Sequence, residues 1–130
     1  MVKLALARIV THDVARLTAF YEKLTGTRPS GNDKYLEFEG PGIALAISDE
    51  QAVRSHGIAL AVAGSNQTVI LDFEVADVDA ERERICGFVT DMVMEPTNQP
   101  WGNRSMVFKD PDGNLINMFT RLPNTRASRA

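Results

Sequence analysis

Leu4-Ala5-Leu6-Ala7-Arg8-Ile9-Val10-Thr11-His12-Asp13-Val14 is echoed 64 positions later by Thr68-Val69-Ile70-Leu71-Asp72-Phe73-Glu74-Val75-Ala76-Asp77-Val78. Each stretch is a run of branched apolar side chains, then an aspartate, then the start of a helical pattern. Branched residues favour strands, and aspartate satisfies the free N–H groups of a helix start. The chain is therefore read as two copies of one supersecondary unit.

The first copy continues with Val14, Leu17, Phe20, Tyr21 and Leu24 at helical spacing, stopped by Gly26. Pro29 to Asp33 reads as a loop. Tyr35–Glu39 and Ile43–Ile47 read as strands around the tight turn Gly40-Pro41-Gly42. Ser48 to Ser55 suggests a helical turn and Ile58 to Ala63 a strand. The second copy has Thr68–Val75 as a strand, then a helix capped by Asp77 or Asp79, with Val78, Ile85 and Phe88 on one face. Arg104–Lys109 and Asn114–Thr120 follow as strands joined by Asp110-Pro111-Asp112-Gly113. There Pro fixes φ and Gly accepts φ > 0. Module one spans 4–63 and module two 68–122, within one domain over 1–122. Residues 123–130 read as a flexible tail.

The chain has 130 residues, 44% of them hydrophobic and 24% charged, which suits one globular domain. Its formal net charge of −3 speaks against nucleic acid as a partner. No apolar run approaches the roughly 18 residues of a membrane span. Met1-Val2-Lys3-Leu4 lacks signal-peptide architecture. The single cysteine, Cys86, excludes an internal disulfide, and its position late in a helix suggests a buried structural thiol. The expected setting is the cytoplasm.

Three elements together resemble the vicinal oxygen chelate superfamily of glyoxalases, extradiol dioxygenases and bleomycin-resistance proteins. They are Val10-Thr11-His12-Asp13-Val14 with Phe20-Tyr21-Glu22-Lys23-Leu24-Thr25-Gly26, then Phe73-Glu74-Val75-Ala76-Asp77-Val78, then Trp101 to Phe108 with Lys109-Asp110-Pro111-Asp112-Gly113-Asn114. The resemblance covers residues 4 to about 122. It implies an α+β fold of paired βαβββ modules forming a curled mixed sheet, a cup, with helices outside. It also implies a homodimer and, in the enzymes, a divalent metal at the floor of the cup.

The family's ligand positions fall on Leu6, Ile70 and Asn117, with Ala46 or Ile47 as the fourth. A divalent ion needs imidazole or carboxylate donors, and only Asn117 carries a donor at all. His12 lies on a turn and His56 in the ambiguous stretch 48–67, without a carboxylate on shared strand parity. The reading is therefore a metal-free member with no cofactor.

If Leu6 and Ile70 face the cup, strand alternation turns Arg8, Asp72 and Glu74 the same way. Arg8 and Asp72 are equivalent under the repeat and are expected to approach one another. Two readings stand for them: a polar clamp on a ligand, or an internal ion pair. Pairing the last two strands across their turn puts Asn117 opposite Met106, so that Arg104, Met106 and Phe108 join it on the cup face. Trp101 offers a stacking surface for a planar ligand; closure of the core or of a dimer interface is the competing reading.

The expected function is metal-independent binding of an aromatic or cationic small molecule, with drug sequestration as one role. No catalytic residue is assigned. The alternative is a divalent-metal lyase, isomerase or dioxygenase with atypical ligands.

Overall fold

The structure, a computed structural model, describes residues 1–55 and 57–123. The chain divides into two compact units, Met1–Asn66 and Gln67–Ala130. Each begins with the order strand, helix, three strands, and each carries a mixed four-stranded sheet, so the class is α+β.

In the first unit, β1 (Leu6–Thr11) leads into α1 (Val14–Thr25), followed by β2 (Ser30–Gly31), β3 (Tyr35–Phe38) and β4 (Ala44–Asp49). The sheet order is β1-β4-β3-β2, with β1 parallel to β4 and the other pairs antiparallel. α1 begins where an aspartate satisfies a free N–H: the Asp13 carboxylate accepts from the Arg16 amide at 3.1 Å. It ends at Gly26, whose φ of 68° is a left-handed conformation that costs glycine little. The apolar stripe foreseen in the sequence is the buried face, with Leu17, Tyr21 and Leu24 inside. Tyr21 meets Phe38 at a ring-centroid distance of 6.5 Å, which fixes the sheet face that α1 covers. Burying each such side chain contributes roughly 1.5–3 kcal/mol.

The last part of the first unit departs from expectation. The helical turn narrows to a 3-10 segment at Gln51–Val53. β5 (Arg54–Ser55) and β6 (Ile58–Ala59) form a two-residue hairpin, so the strand expected over 58–63 is short. Ile58, Leu60 and Val62 are exposed. The stretch read as a loop, Pro29 to Asp33, contains β2.

The second unit consists of β7 (Ile70–Glu74), α2 (Val78–Ile85), β8 (Met92–Asn98), β9 (Asn103–Lys109) and β10 (Leu115–Arg121), in the order β7-β10-β9-β8. β7 and β10 are parallel and the rest antiparallel. Asp77, not Asp79, caps α2, accepting from the amides of Asp79 and Ala80 at 3.1 and 3.2 Å. β8 has no counterpart in the sequence reading because Pro96 interrupts it. Proline lacks the ladder donor and is tolerated on an edge strand, the place β8 occupies. Cys86 is exposed just past α2, which corrects the expectation of a buried thiol: the inward positions of that helix are Val78 and Ile85. The tail expected to be flexible lies, from residue 124 onward, outside the described residues.

Candidate functional site

Each sheet has one face under its helix and one face turned away from it. In the second unit, the Val78 amide donates to the Thr120 hydroxyl at 2.8 Å and Arg104 reaches Asp79, so Thr120 and Arg104 lie on the side of α2. Alternation then places Ile116 and Met118 of β10 with them, and Leu115, Asn117, Phe119 and Arg121 on the open side. Parallel register pairs Asn117 with Asp72 and Phe119 with Glu74.

The open face of this sheet is polar and tied together. Asn117 Nδ2 donates to Asp72 Oδ1 at 2.8 Å. Arg121 Nε donates to Glu74 Oε2 at 3.0 Å, and its guanidinium stands 5.6 Å from the centroid of the Phe119 ring. Glu74, without an obvious partner in the sequence, thus has one. Across the sheet, Gln99 Nε2 donates to Ser105 Oγ at 3.2 Å and lies 3.7 Å from Met94 Sδ. Of the residues expected at the site, Asp72, Glu74 and Asn117 come together here, with Ile70 half-exposed on the same face.

Arg104, Met106 and Phe108 do not join them. β10 pairs with β9 so that Asn117 stands opposite Val107, and Met106 opposite Met118. A one-residue slip moves every side chain to the other face. The slip arises in the turn. Paired Lys109 and Leu115 enclose five residues, Asp110–Asn114, not four. Asp110 organises them: its Oδ1 accepts from the amides of Asp112 and Asn114, each at 2.9 Å, and its Oδ2 accepts from Asn114 Nδ2 at 2.8 Å. Met106 and Phe108 are therefore core, both 0% exposed. Arg104 is a clasp on α2. It donates to both oxygens of Asp79, at 2.9 and 3.0 Å, and to Asn98 Oδ1 at 3.1 Å. These hydrogen bonds hold the Asp79 carboxyl below its ordinary range and raise Arg104. Arg82 and Glu95 form a similar pair, lowering Glu95.

Trp101 is 58% exposed at the turn between β8 and β9. That turn is closed by the Gly102 amide donating to the Gln99 carbonyl at 3.2 Å. An exposed indole is free to stack on a planar ligand.

In the first unit, Phe38 under α1 puts Leu36 and Ile47 on the helix side. Tyr35, Glu37, Ala46 and Ser48 share the open side with Leu6 and Arg8. The Arg8 guanidinium stands 5.9 Å from the centroid of the Tyr35 ring. Arg8 and Asp72 thus each have a partner within their own unit. Ala46 pairs with Arg8 as Asn117 pairs with Asp72, so the fourth position that the resemblance assigns is Ala46, while Ile47 lies on the helix side; both are buried.

The positions that the resemblance assigns to a metal are then Leu6, Ala46, Ile70 and Asn117. Three are hydrocarbon, and the amide of the fourth is engaged by Asp72. Of these four side chains only Asn117 carries an oxygen donor, and a weak one, so the residues do not fit a hard or borderline divalent ion. Among the described residues no three His, Cys, Asp or Glu side chains converge as ligands. His12 Nδ1 lies 3.1 Å from Glu50 Oε1 on an exposed turn; His56 lies outside the described residues.

Arg121, Phe119, Ser105 and Gln99 are site residues that the sequence pattern does not single out. The five-residue turn is the missing signal, since it sets the parity of β9, while extending β10 by one residue adds Arg121.

No protein of curated function is similar in sequence to the chain. Among solved structures, a glyoxalase/bleomycin resistance protein/dioxygenase from Nocardioides is 29% identical with a TM-score of 0.78, over 95% of this chain and 86% of that one. A family enzyme of the same description from Burkholderia phytofirmans is 19% identical with a TM-score of 0.81, over 93% and 100%. A lactoylglutathione lyase from Agrobacterium tumefaciens is 18% identical with a TM-score of 0.70, over 92% and 94%, and these last two share the fold alone. The sequence profile of the Glyoxalase/Bleomycin resistance protein/Dioxygenase superfamily matches residues 3–118, and the chain belongs to that superfamily.

Proposed function

We propose that this chain is a metal-independent small-molecule-binding protein that holds an aromatic or cationic ligand against its open sheet faces, with drug sequestration as its role. The observation that carries this reading is the donor set at the superfamily's metal positions: Leu6, Ala46, Ile70 and an Asn117 already bonded to Asp72. With no ligand set for a metal, the polarity of the open face is available for recognition. One oxygen of Asp72 is engaged by Asn117, and the other can accept from an ammonium or amide donor. Phe119 and Arg121 offer a planar surface, and Trp101 a second one. A homodimer in the cytoplasm belongs to the same proposal, and sedimentation at micromolar concentration tests its first part.

The function is tested by a thermal-shift screen of bleomycin-like drugs and aromatic amines, run in chelator and again with added zinc, nickel or manganese. Ligand at 100 times its Kd stabilises by about 2.7 kcal/mol whatever its identity. The proposal expects shifts of equal size in chelator and in metal, reduced in an Asp72→Asn/Glu74→Gln variant. Shifts that require a divalent metal would overturn it.

A further inference from the structure

A concavity lies wholly within the first unit. It is a groove of about 490 Å³ where the starts of β1 and β4 meet the end of β3. That volume suits a small organic molecule better than a bare ion. Leu4, Leu6 and Ile43 supply its apolar wall, and Leu4 and Ile43 are exposed large hydrophobic residues. Glu37 and Glu39, two positions apart, bring two carboxylates to the same groove, with Lys3 as the one cation among its lining residues. Among the described residues, neither carboxylate has an ion-pair or hydrogen-bond partner, and Lys3 has none either. The groove therefore joins an uncovered apolar surface to an excess of negative charge.

We infer that this groove binds a small organic monocation, an amine with an apolar body, whose ammonium group meets Glu37 and Glu39 while its hydrocarbon lies on Leu4 and Ile43. Charge complementarity selects the occupant. An anion would face both carboxylates, and a neutral molecule would leave them unpaired in partial desolvation. Lys3, a like charge among the lining residues, opposes the ammonium group and weakens the site. Leu6 and Glu37 of the groove belong to the open side of the first sheet, so the inference deepens the binding proposed above, and it does not rest on Asp72 or Glu74 of the second unit.

The test titrates the full chain with 2-phenylethylamine, and with 2-phenylethanol as the uncharged control, following backbone amide shifts by NMR. Saturable shifts are expected at Leu4, Leu6 and Ile43 for the amine, with the alcohol about tenfold weaker. Glu37→Gln/Glu39→Gln should weaken the amine about tenfold at the groove, Lys3→Met should tighten it, and Asp72→Asn/Glu74→Gln should leave the titration of the Leu4, Leu6 and Ile43 amides unchanged. Circular dichroism confirms that each variant folds. Equal binding of amine and alcohol would overturn the inference. So would amine binding lost only in the Asp72/Glu74 variant. A groove that shows no amine shifts, and whose double variant changes the sedimentation coefficient, is covered by a second copy of the chain, which also overturns it. Amine binding here, alongside a ligand screen unaffected by the Asp72/Glu74 variant, would uphold this groove while refuting the function proposed above.

Discussion

Phe108→Ala and Met106→Ala should be among the most destabilising single changes in the second unit, and Val107→Ala between them should not. Phe108 and Met106 are 0% exposed, and their cross-strand partners Ile116 and Met118 are buried as well. Truncation there removes transfer free energy and leaves a cavity that packed neighbours fill only in part. Losses of about 3–5 kcal/mol for the phenylalanine and about 2–5 kcal/mol for the methionine are expected. Val107 looks out from the open face and is half-buried, so its loss should stay near about 1 kcal/mol. At an unfolding entropy of about 2.1 cal/mol/K per residue, a chain of this length changes Tm by about 3–4 °C per kcal/mol. The two core variants should therefore fall by about 6–20 °C in Tm, the phenylalanine by at least about 9 °C, and Val107→Ala by only about 4 °C. Trp101, the only tryptophan, sits at the turn entering β9 and reports the transition by fluorescence. Urea midpoints should rank the variants in the same order. A Val107→Ala loss larger than that of Phe108→Ala would mean that β9 is paired one residue away, and the assignment of faces would fail with it.

Asp79 and Glu95 titrate below their ordinary ranges because arginine hydrogen bonds favour their charged forms. A folded pKa below the unfolded one gives stability that is present above the unfolded value and lost as pH falls through the folded value. Acid titration should thus destabilise the chain below about pH 4, and Asp79→Asn should flatten that part of the pH–stability curve. A variant with the same acid slope as the parent would refute the role given to Arg104. Gly31 has a φ of 144°, and a Cβ there would lie 2.1 Å from the Tyr35 carbonyl oxygen. Gly31→Ala should cost about 2 kcal/mol or more, against about 1 kcal/mol for Gly26→Ala, whose Cβ would meet nothing within 4 Å. Urea denaturation of the pair checks the order, and equal midpoints would refute it.

The parts of the fold legible in the sequence are those in which local chemistry decides. Asp13 and Gly26 bracket α1 because one supplies a cap acceptor and the other a left-handed turn. The echo at Asp77 locates α2 for the same reason. The elements that are not legible have their reasons too. β8 carries Pro96 and holds its place by pairing with β9, a long-range condition that a strand pattern does not contain. β2 is two residues long and is defined by its partner. At the site, one residue of turn length decides which side chains share a face. The position of Asp72, Glu74 and Asn117 follows from alternation along their own strands. That of Arg104, Met106 and Phe108 depends on pairing across Asp110–Asn114, where the Asp110 carboxylate makes the turn one residue longer than its Pro-Asp-Gly composition suggests.

The central claim is that this superfamily member recognises its ligand without a metal. Metal content of the purified chain, by elemental analysis after growth with added zinc, nickel, manganese and iron, tests it most directly. Leu6, Ala46, Ile70 and an Asn117 bonded to Asp72 predict far less than one divalent ion per chain, with a Tm unchanged by chelator. One ion per chain, lost together with ligand binding when His12 or Asn117 is replaced, would contradict it.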